Sequence, residues 1–350
     1  MKRIGVMTSG GDAPGMNAAI RAVVRSAMAN DMSVIGFRRG YNGMLMRSKD
    51  SSDDFTMLTA HSVSGKIHHG GTFLMTARCA EFREMEAQKR VVSNLKMLGV
   101  EGMVLIGGDG TFRGGTDLDR LGFPVVGIPG TIDNDLCYTD TTIGFDTALD
   151  IGCECLNRIR ETSDSHERAS LVTVMGRNCG DIAVHTAVAC GAEMALIPEV
   201  KWSIEEVAER IKWGVLKGKS SMIIIVAEGA FSSMTSDVKT LCETNEKLSD
   251  IRGNQMDSMQ LARIVEVLAN HDTRATVLGY IQRGGSPSGT DRILATRMGH
   301  RAVELLRDDK FGVAIGMREN RLIEVPITEA RNRGGAYNVE LYNLISTVSG

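Results

Sequence analysis

The chain has 350 residues, 43% hydrophobic and 24% charged, enough for a sizeable core and for about two domains of roughly 150 residues, or one large α/β unit. A net charge of −3 provides no basic field, which excludes nonspecific nucleic-acid binding as the expected role. No apolar run reaches the ~18 residues of a membrane helix, and seven scattered cysteines without a CxxC pair suit neither a zinc site nor a disulfide framework. Free thiols, and an opening MKRIGVMTSGG too short in apolar residues for a signal peptide, make the cytoplasm the expected location. Glycine is the outlier, with 39 residues where average usage gives about 25. With only 6 prolines and no strict repeat, this surplus points to turns where backbone must approach something closely.

In chain order, Arg3 to Met7 predicts a strand, followed by the glycine-rich turn Gly10 to Gly15 and a helix from Asn17 to Ala29. Ser33 to Phe37 predicts a strand, and Glu81 to Leu98 a helix closed by Gly99. Strands at Met103 to Ile106 and Val125 to Ile128 each run into a polar turn, and a helix follows from Asp146 to Arg160. Leu171 to Met175, Met194 to Ile197 and Met222 to Val226 predict further strands, separated by helices from Asp181 to Cys190 and from Ser203 to Leu216. Ser203 and Glu206 have the spacing of a capping box. The pattern lapses from Glu228 to about Asp257, then resumes as a strand from Ala275 to Ile281 and a helix from Thr290 to Leu306. Alternating βα units predict parallel sheets covered by helices on both faces.

Ligands of open α/β sheets bind beyond the carboxyl ends of the strands, and three polar glycine-rich motifs fall at such ends. Ser9 to Asn17 bares backbone amides ahead of a helix N-terminus, as a phosphate would require; a plain βα turn is the alternative. Gly107-Gly108-Asp109-Gly110-Thr111 places an acid among glycines, which suits Mg²⁺ held between carboxylate and substrate phosphates. Asp109 could instead cap a helix from Arg113. Pro129 to Asp135 carries Asp133 and Asp135, one able to accept a hydroxyl proton and the other to lie near a metal; an Asn/Asp-rich turn is the alternative. Arg168, Arg177, Arg274 and Arg283 lie next to or just beyond predicted strands, where guanidinium groups recognise phosphates, although surface arginines are common. Met175-Gly176-Arg177 and Gln282-Arg283-Gly284-Gly285 pair such arginines with bare backbone. The 20 methionines read as core filling, and His68-His69 as loop.

In this order the motifs resemble the phosphofructokinase family, bacterial ATP-dependent type. The resemblance covers TSGGDAPGMNAAIR at Thr8 to Arg21, GGTFLMTAR at Gly70 to Arg78, IGGDGT at Ile106 to Thr111 and GIPGTIDND at Gly127 to Asp135. It continues through TIGFDTAL at Thr142 to Leu149, VMGRNCGD at Val174 to Asp181, TRATVLGYIQRGGSP at Thr273 to Pro287 and DRILATRMG at Asp291 to Gly299. It implies an α/β fold of two three-layer αβα domains with mostly parallel sheets and the active site in the cleft between them. The ATP-binding domain would comprise residues 1–144 and 282–332, and the sugar-phosphate-binding domain residues 145–281 and 333–350.

The implied reaction is glycolytic transfer of the γ-phosphoryl group of ATP to the 1-hydroxyl of D-fructose 6-phosphate, giving fructose 1,6-bisphosphate and ADP. Asp133 would be the base, Asp109 would hold Mg²⁺ with Asp135 nearby, and Gly11, Thr131 and Arg177 would support the transferring phosphoryl group. Gly11, Arg78, Cys79, Gly108, Asp109, Gly110 and Thr111 would line the ATP site. Thr131, Asp133, Asp135, Met175, Gly176, Arg177, Glu228, Tyr280 and Arg283 would contact the sugar phosphate. Arg168 and Arg274 would reach its 6-phosphate from a neighbouring subunit, implying a homotetramer or a homodimer with shared sites. Gly110 and Gly130 would select ATP, since pyrophosphate-using members carry Asp and Lys there. Arg21, Arg25, Arg160, Glu193, Lys217 and Lys219 match the family's effector pocket.

Three departures qualify the resemblance. Tyr280 replaces the family's usual His, which bears on substrate affinity. Ala60-His61 replaces an expected Arg-Tyr pair, so an altered or weak effector response is expected. The stretch after Glu228 is about 25 residues longer than in short bacterial members. The competing readings are pyrophosphate or mixed donor use, the NAD or lipid kinases that share GGDGT, and an inactive regulatory paralogue.

Overall fold

The computed structural model describes residues 1–47, 51–249, 251, 256–330 and 337–349. The chain divides into two compact units, Met1–Ala148 with Arg283–Gly334, and Leu149–Gln282 with Gly335–Gly350. The domain boundary expected at 332/333 and part of the stretch after Glu228, residues 250 and 252–255, lie outside the described residues.

The elements run β1 (Arg3–Thr8), α1 (Met16–Met28), β2 (Ser33–Phe37), α2 (Tyr41–Met44), β3 (Phe55–Leu58), α3 (Met85–Met97), β4 (Gly102–Gly107), α4 (Asp109–Arg120) and β5 (Val125–Pro129). They continue with α5 (Phe145–His166), β6 (Ala169–Val174), α6 (Asp181–Ala189), β7 (Met194–Leu196), α7 (Ile204–Leu216), β8 (Met222–Ala227), α8 (Val238–Thr244), α9 (Ser258–Ala269) and β9 (Thr273–Val277). The last are α10 (Gly289–Arg307), β10 (Val313–Arg318), β11 (Arg321–Pro326) and α11 (Val339–Val348).

In the first unit a seven-stranded sheet has the order β11-β10-β5-β4-β1-β2-β3, parallel except for the outer pairs β10–β11 and β2–β3. Every residue of β4, GMVLIG, is buried, as expected for a parallel strand covered on both faces. Met103 and Leu105 pack into a core with Val91 and Leu95 of α3 and Phe112 and Leu118 of α4. Alternation turns Val104 and Ile106 to the other face, where α1 packs against α10 and both reach β4. Chain order reverses between β1 and β4, because β1 leads to β2 and β3 on one side while β4 and β5 progress on the other. A crevice therefore opens at the carboxyl ends of β1 and β4.

The second unit holds a fully parallel sheet, β7-β8-β6-β9. From β6 the chain crosses through α6 past β8 to β7, and from β8 it crosses through α9 past β6 to β9. These opposite directions, with right-handed crossovers, place α6 and α9 on opposite faces. In agreement, α6 packs with α11 and α7 with α9. The second switch point lies at the carboxyl ends of β6 and β8.

The structure differs from the expected elements at several points. Asp109 does not cap a helix from Arg113; α4 already begins at Asp109, with Gly108 in extended conformation before it. The helix expected from Glu81 is a short 3-10 turn, Glu81–Arg83, separated from α3 by an extended Glu84. The strand expected from Ala275 to Ile281 is β9, which ends at Val277 because Gly279 at φ 53° turns the chain into a 3-10 segment, Gly279–Arg283. The stretch after Glu228, which the sequence leaves open as loop or an inserted element, contains α8. Strands β3, β10 and β11 and helices α2, α9 and α11 were not expected. β3 and β11 are antiparallel edges with half-exposed patterns, and therefore lack a strong periodic signal. Among the described residues no helix is long and apolar enough to cross a membrane.

Candidate active site

In the first unit the loops after β1, β4 and β5 are tied together by backbone. The Ser9 amide donates to the Ile106 carbonyl at 3.0 Å, and the Gly130 amide to the Gly107 carbonyl at 3.0 Å. The Thr111 hydroxyl donates to the Ser9 carbonyl at 3.1 Å. A Cβ on Gly107 would stand 2.2 Å from Thr111 Oγ1 and 2.4 Å from the Ser9 oxygen, so only glycine permits this approach. Thr76 donates to the Gly10 carbonyl at 2.7 Å, and Asn17 at the start of α1 donates to the carbonyls of His69 and Gly70 at 3.1 and 3.0 Å. The GGTFLMTAR segment is thereby drawn alongside the β1 loop. Arg283 belongs to this unit, where its guanidinium donates to the Asp12 carbonyl at 3.2 Å and occupies the space a Gly11 side chain would need.

Asp109 occupies the first turn of α4, where the helix dipole favours a carboxylate, and pairs with Arg113 one turn on at 3.0 Å. Above the same turn sits Tyr41, which sequence reasoning missed. Its ring is buried and stacked on Phe82 with centroids 4.1 Å apart, and its hydroxyl donates to the Thr111 carbonyl at 2.6 Å. Burial first, then the nearby Asp117 charge, raises the Tyr41 pKa well above its ordinary value, so the hydroxyl stays a donor. The neighbouring Asn42 donates to the Arg78 carbonyl at 3.2 Å, next to Cys79, which packs against the core. Two adjacent residues of α2 thus hold both backbone segments expected to receive ATP.

The loop after β5 buries Thr131 and Asp133. The Asp133 amide donates to Thr131 Oγ1 at 3.2 Å, and Thr142 Oγ1 donates to the Thr131 carbonyl at 2.6 Å. Asn134 takes a left-handed φ of 49°, which sharpens the turn towards the half-buried Asp135. Gly108 lies against Thr131, with a Cβ position 3.5 Å from the threonine Cβ, so Asp109 and Thr131 arise from touching loops. The two glycines expected to select the donor differ. A side chain at Gly110 would meet nothing within 4 Å, whereas one at Gly130 would start 3.0 Å from Ile106 Cγ2 and 3.2 Å from Met16 Cε. At Gly130 the first atom of any side chain is crowded by core, not by open nucleotide space.

In the second unit the ends of β6 and β8 meet. The Arg177 amide donates to Glu228 Oε1 at 2.7 Å, and the Glu228 amide donates to the Val174 carbonyl at 3.0 Å. Arg177 itself has φ 54°, a left-handed conformation strained for a non-glycine residue. Gly176 has φ 135°, and a Cβ there would lie 2.5 Å from the Cys179 carbonyl oxygen. The Met175 amide is held at 2.8 Å by the side-chain oxygen of Gln282, a fully buried residue that sequence reasoning passed over. Its only signal was membership of the QRGGSP motif. Asp291, also passed over, is fully buried in the first unit and accepts from the Gly144 amide at 2.8 Å and from the Thr147 amide at 2.9 Å, fixing the start of α5. Burial raises its pKa, partly offset by those hydrogen bonds.

Arg168 and Arg274 are brought together, but at the other end of the sheet. Arg168 precedes β6, Arg274 is the second residue of β9, and both pair with Asp272, at 2.5 and 2.8 Å. The length of β6 separates them from Arg177 by roughly 20 Å at about 3.3 Å per residue. Tyr280 is 83% exposed on the turn after β9. Of the residues expected to form an effector pocket, Arg160, Glu193 and Lys219 line one cavity of about 400 Å³ in the second unit. Lys217 lies beside them with its ammonium 5.5 Å from the Trp213 ring, and Arg21 and Arg25 belong to α1 of the first unit. None of the seven cysteines is in a disulfide.

Two doubly wound α/β units, each with glycine-rich turns and charged side chains at its switch point, define the architectural class. Sequence comparison gives the particular family. The phosphofructokinase family model matches residues 3–306, and the chain belongs to that family. It is 46% identical over 349 residues to the ATP-dependent 6-phosphofructokinase of Clostridium tetani, covering 100% of both chains. Among solved structures, the phosphofructokinase of Saccharomyces cerevisiae matches with a TM-score of 0.80 and 32% identity, over 94% of this chain and 44% of the yeast chain. A pyrophosphate-dependent phosphofructokinase from Marinobacter aquaeolei matches with a TM-score of 0.79 over 100% of this chain and 92% of its own, at 20% identity, a likeness of fold alone.

Proposed function

We propose that the chain transfers the γ-phosphoryl group of ATP to the 1-hydroxyl of D-fructose 6-phosphate, a reading supported by its 46% identity to the ATP-dependent 6-phosphofructokinase of Clostridium tetani. The observation that carries this reading is the buried Asp133–Thr131 pair at the end of β5, set against the Gly108–Asp109 start of α4. Asp133 takes the proton of the sugar hydroxyl as its oxygen attacks the γ-phosphorus, and the bond from that phosphorus to the ADP oxygen breaks. Thr131, the Gly11 amide and Arg177 stabilise charge on the transferring group. Arg78, Cys79 and Gly108 to Thr111 receive ATP. Met175, Gly176, Glu228, Asp135, Tyr280 and Arg283 receive the sugar phosphate.

Mg²⁺ fits the donor set in one mode. Among the described residues no group of three metal-ligating side chains exists, but Mg²⁺ is commonly held by one or two carboxylates together with substrate phosphates and water. Asp109 offers that carboxylate at the head of α4. When bound, the ion neutralises phosphate charge.

Open space at Gly110 supports ATP as donor. The separation of Arg168 and Arg274 from Arg177 supports their serving a second copy's site, hence a homotetramer or homodimer, and a glycolytic role implies the cytoplasm. A coupled assay of purified protein with fructose 6-phosphate and ATP or pyrophosphate tests the reading. ADP formation dependent on the sugar is expected. Equal rates with pyrophosphate would refute the donor assignment, and no sugar-dependent ADP would refute the reaction.

A further inference from the structure

The cavity lined by Arg160, Asp164, Glu193 and Lys219 also contains Val348 and Ser349, at and just beyond the end of α11. Ser349 is 5% exposed. Lys219 Nζ donates to its carbonyl oxygen at 2.5 Å, Arg210 donates to its hydroxyl, and that hydroxyl reaches the Glu193 carbonyl at 3.5 Å. The same Lys219 ammonium donates to Glu193 Oε1 at 3.2 Å, while Glu193 Oε2 accepts the Ile223 amide at 2.7 Å, so Glu193 is fixed in place, 6% exposed. Asp164 is committed to the hydroxyls of Ser220 and Ser221, at 3.0 and 2.5 Å. Arg160 spends one guanidinium nitrogen on the carbonyls of Cys190 and Gly191, at 2.6 and 3.3 Å, leaving other donors of its fork for a ligand.

We propose that Val348–Ser349 is a displaceable internal occupant of this cavity, holding Lys219 through the Ser349 carbonyl until a small phosphorylated anion takes its place. The inference rests on reading these residues as an effector pocket, but adds what occupies it and what an entering ligand must remove. The chemistry favours exchange. A neutral carbonyl satisfies an ammonium less well than a phosphate does, because charge on both partners strengthens the bond. Departure gives up the buried, polar Ser349 but little apolar burial: Val348 is 57% exposed, and Ile345 is the only buried residue of α11. Ile345 can therefore anchor the helix while the residues beyond it leave.

Trp213 provides a reporter, since Arg210 stands 4.7 Å and Lys219 5.8 Å from its ring. The probe is phosphoenolpyruvate, a phosphorylated carboxylate that is neither donor nor product of the proposed transfer. It is titrated by calorimetry into the full chain, a variant ending at Ile345, full-length Arg210→Met and full-length Lys219→Met. Trp213 emission is followed in a Trp202→Phe background. Losing one charge-assisted hydrogen bond to the occupant should tighten probe binding about tenfold in the shortened variant and less in Arg210→Met. Lys219→Met should abolish binding, and in the full chain Trp213 emission should change over the same probe concentrations as the heat.

Equal affinity in the full and shortened chains, with loss in Lys219→Met, would overturn the occupant while leaving the pocket reading intact. Binding that ignores Lys219, or no binding in any variant, would overturn both. Arg210→Met keeps the whole chain, so a folding defect in the shortened variant does not remove the test.

Discussion

The Tyr41 hydroxyl donates to the Thr111 carbonyl across 2.6 Å of buried space, linking a four-residue helix to the first turn of α4. Gly114 is the counterpart of this contact, since a Cβ there would stand 2.5 Å from the Tyr41 ring. Tyr41→Phe keeps the stack on Phe82 but removes the hydroxyl's bond to a carbonyl that lies inside α4. The expected cost of losing that one hydrogen bond is about 0.5–1.5 kcal/mol in urea unfolding, with the KM for ATP raised and kcat little changed. An unchanged KM for ATP would show that α4 does not need this tie.

Asp133→Ser should lower kcat by about 10²–10⁴-fold while leaving the melting temperature near that of the parent, since general-base catalysis is worth that much. Near-normal kcat in steady-state assays would remove Asp133 from the role of base.

Arg177 combines an expected catalytic guanidinium with a left-handed backbone. Arg177→Gly relieves the φ strain, worth about 1–2 kcal/mol, against a glycine entropy cost of about 0.5–1 kcal/mol. The melting temperature should therefore hold or rise while turnover collapses. Calorimetry and kinetics on one preparation test this, and a marked loss of stability would contradict the strain assignment.

The two glycines proposed to select the donor should behave differently. Gly110→Asp enters open space, so the fold should survive while the ratio of ATP to pyrophosphate activity falls. Gly130→Ala pushes on Ile106 and Met16, so its first effect should be lost stability, about 1–3 kcal/mol for overpacking. Reversed outcomes in thermal melts of the two variants would refute the distinction.

His185 faces Asp181 one turn earlier on α6, with Nδ1 at 3.4 Å from Oδ1 and 2.9 Å from the Asp181 carbonyl. Burial lowers its pKa, but the bonds and charge of Asp181 outweigh burial, and the net shift is upward. A raised folded pKa means the pair stabilises fully below the unfolded value of 6.5 and is lost as pH rises through the folded value. The stability gap between the parent and His185→Gln should therefore be wider at about pH 5.5 than at about pH 8.5. A gap independent of pH in denaturant titrations would rule out a titrating pair.

The sequence by itself determined the elements whose apolar pattern is strong. β1, β4, β6 and β8 are short runs buried in parallel sheets, and the Ser203–Glu206 capping box forms at the start of α7 as its spacing requires. It also placed glycine-rich turns at strand ends, because local backbone freedom and period are written residue by residue. Tertiary structure alone decided which turns meet. The Arg177–Glu228 bond depends on β6 and β8 being neighbours, and the Ser9–Ile106 bond on β1 and β4 being neighbours, although neither pair is consecutive in the chain. It likewise decided that Tyr41, Gln282 and Asp291 are buried hydrogen-bonding residues, and that Ser349 lies beside Lys219. A polar residue's burial depends on distant segments closing over it, and no local period encodes that.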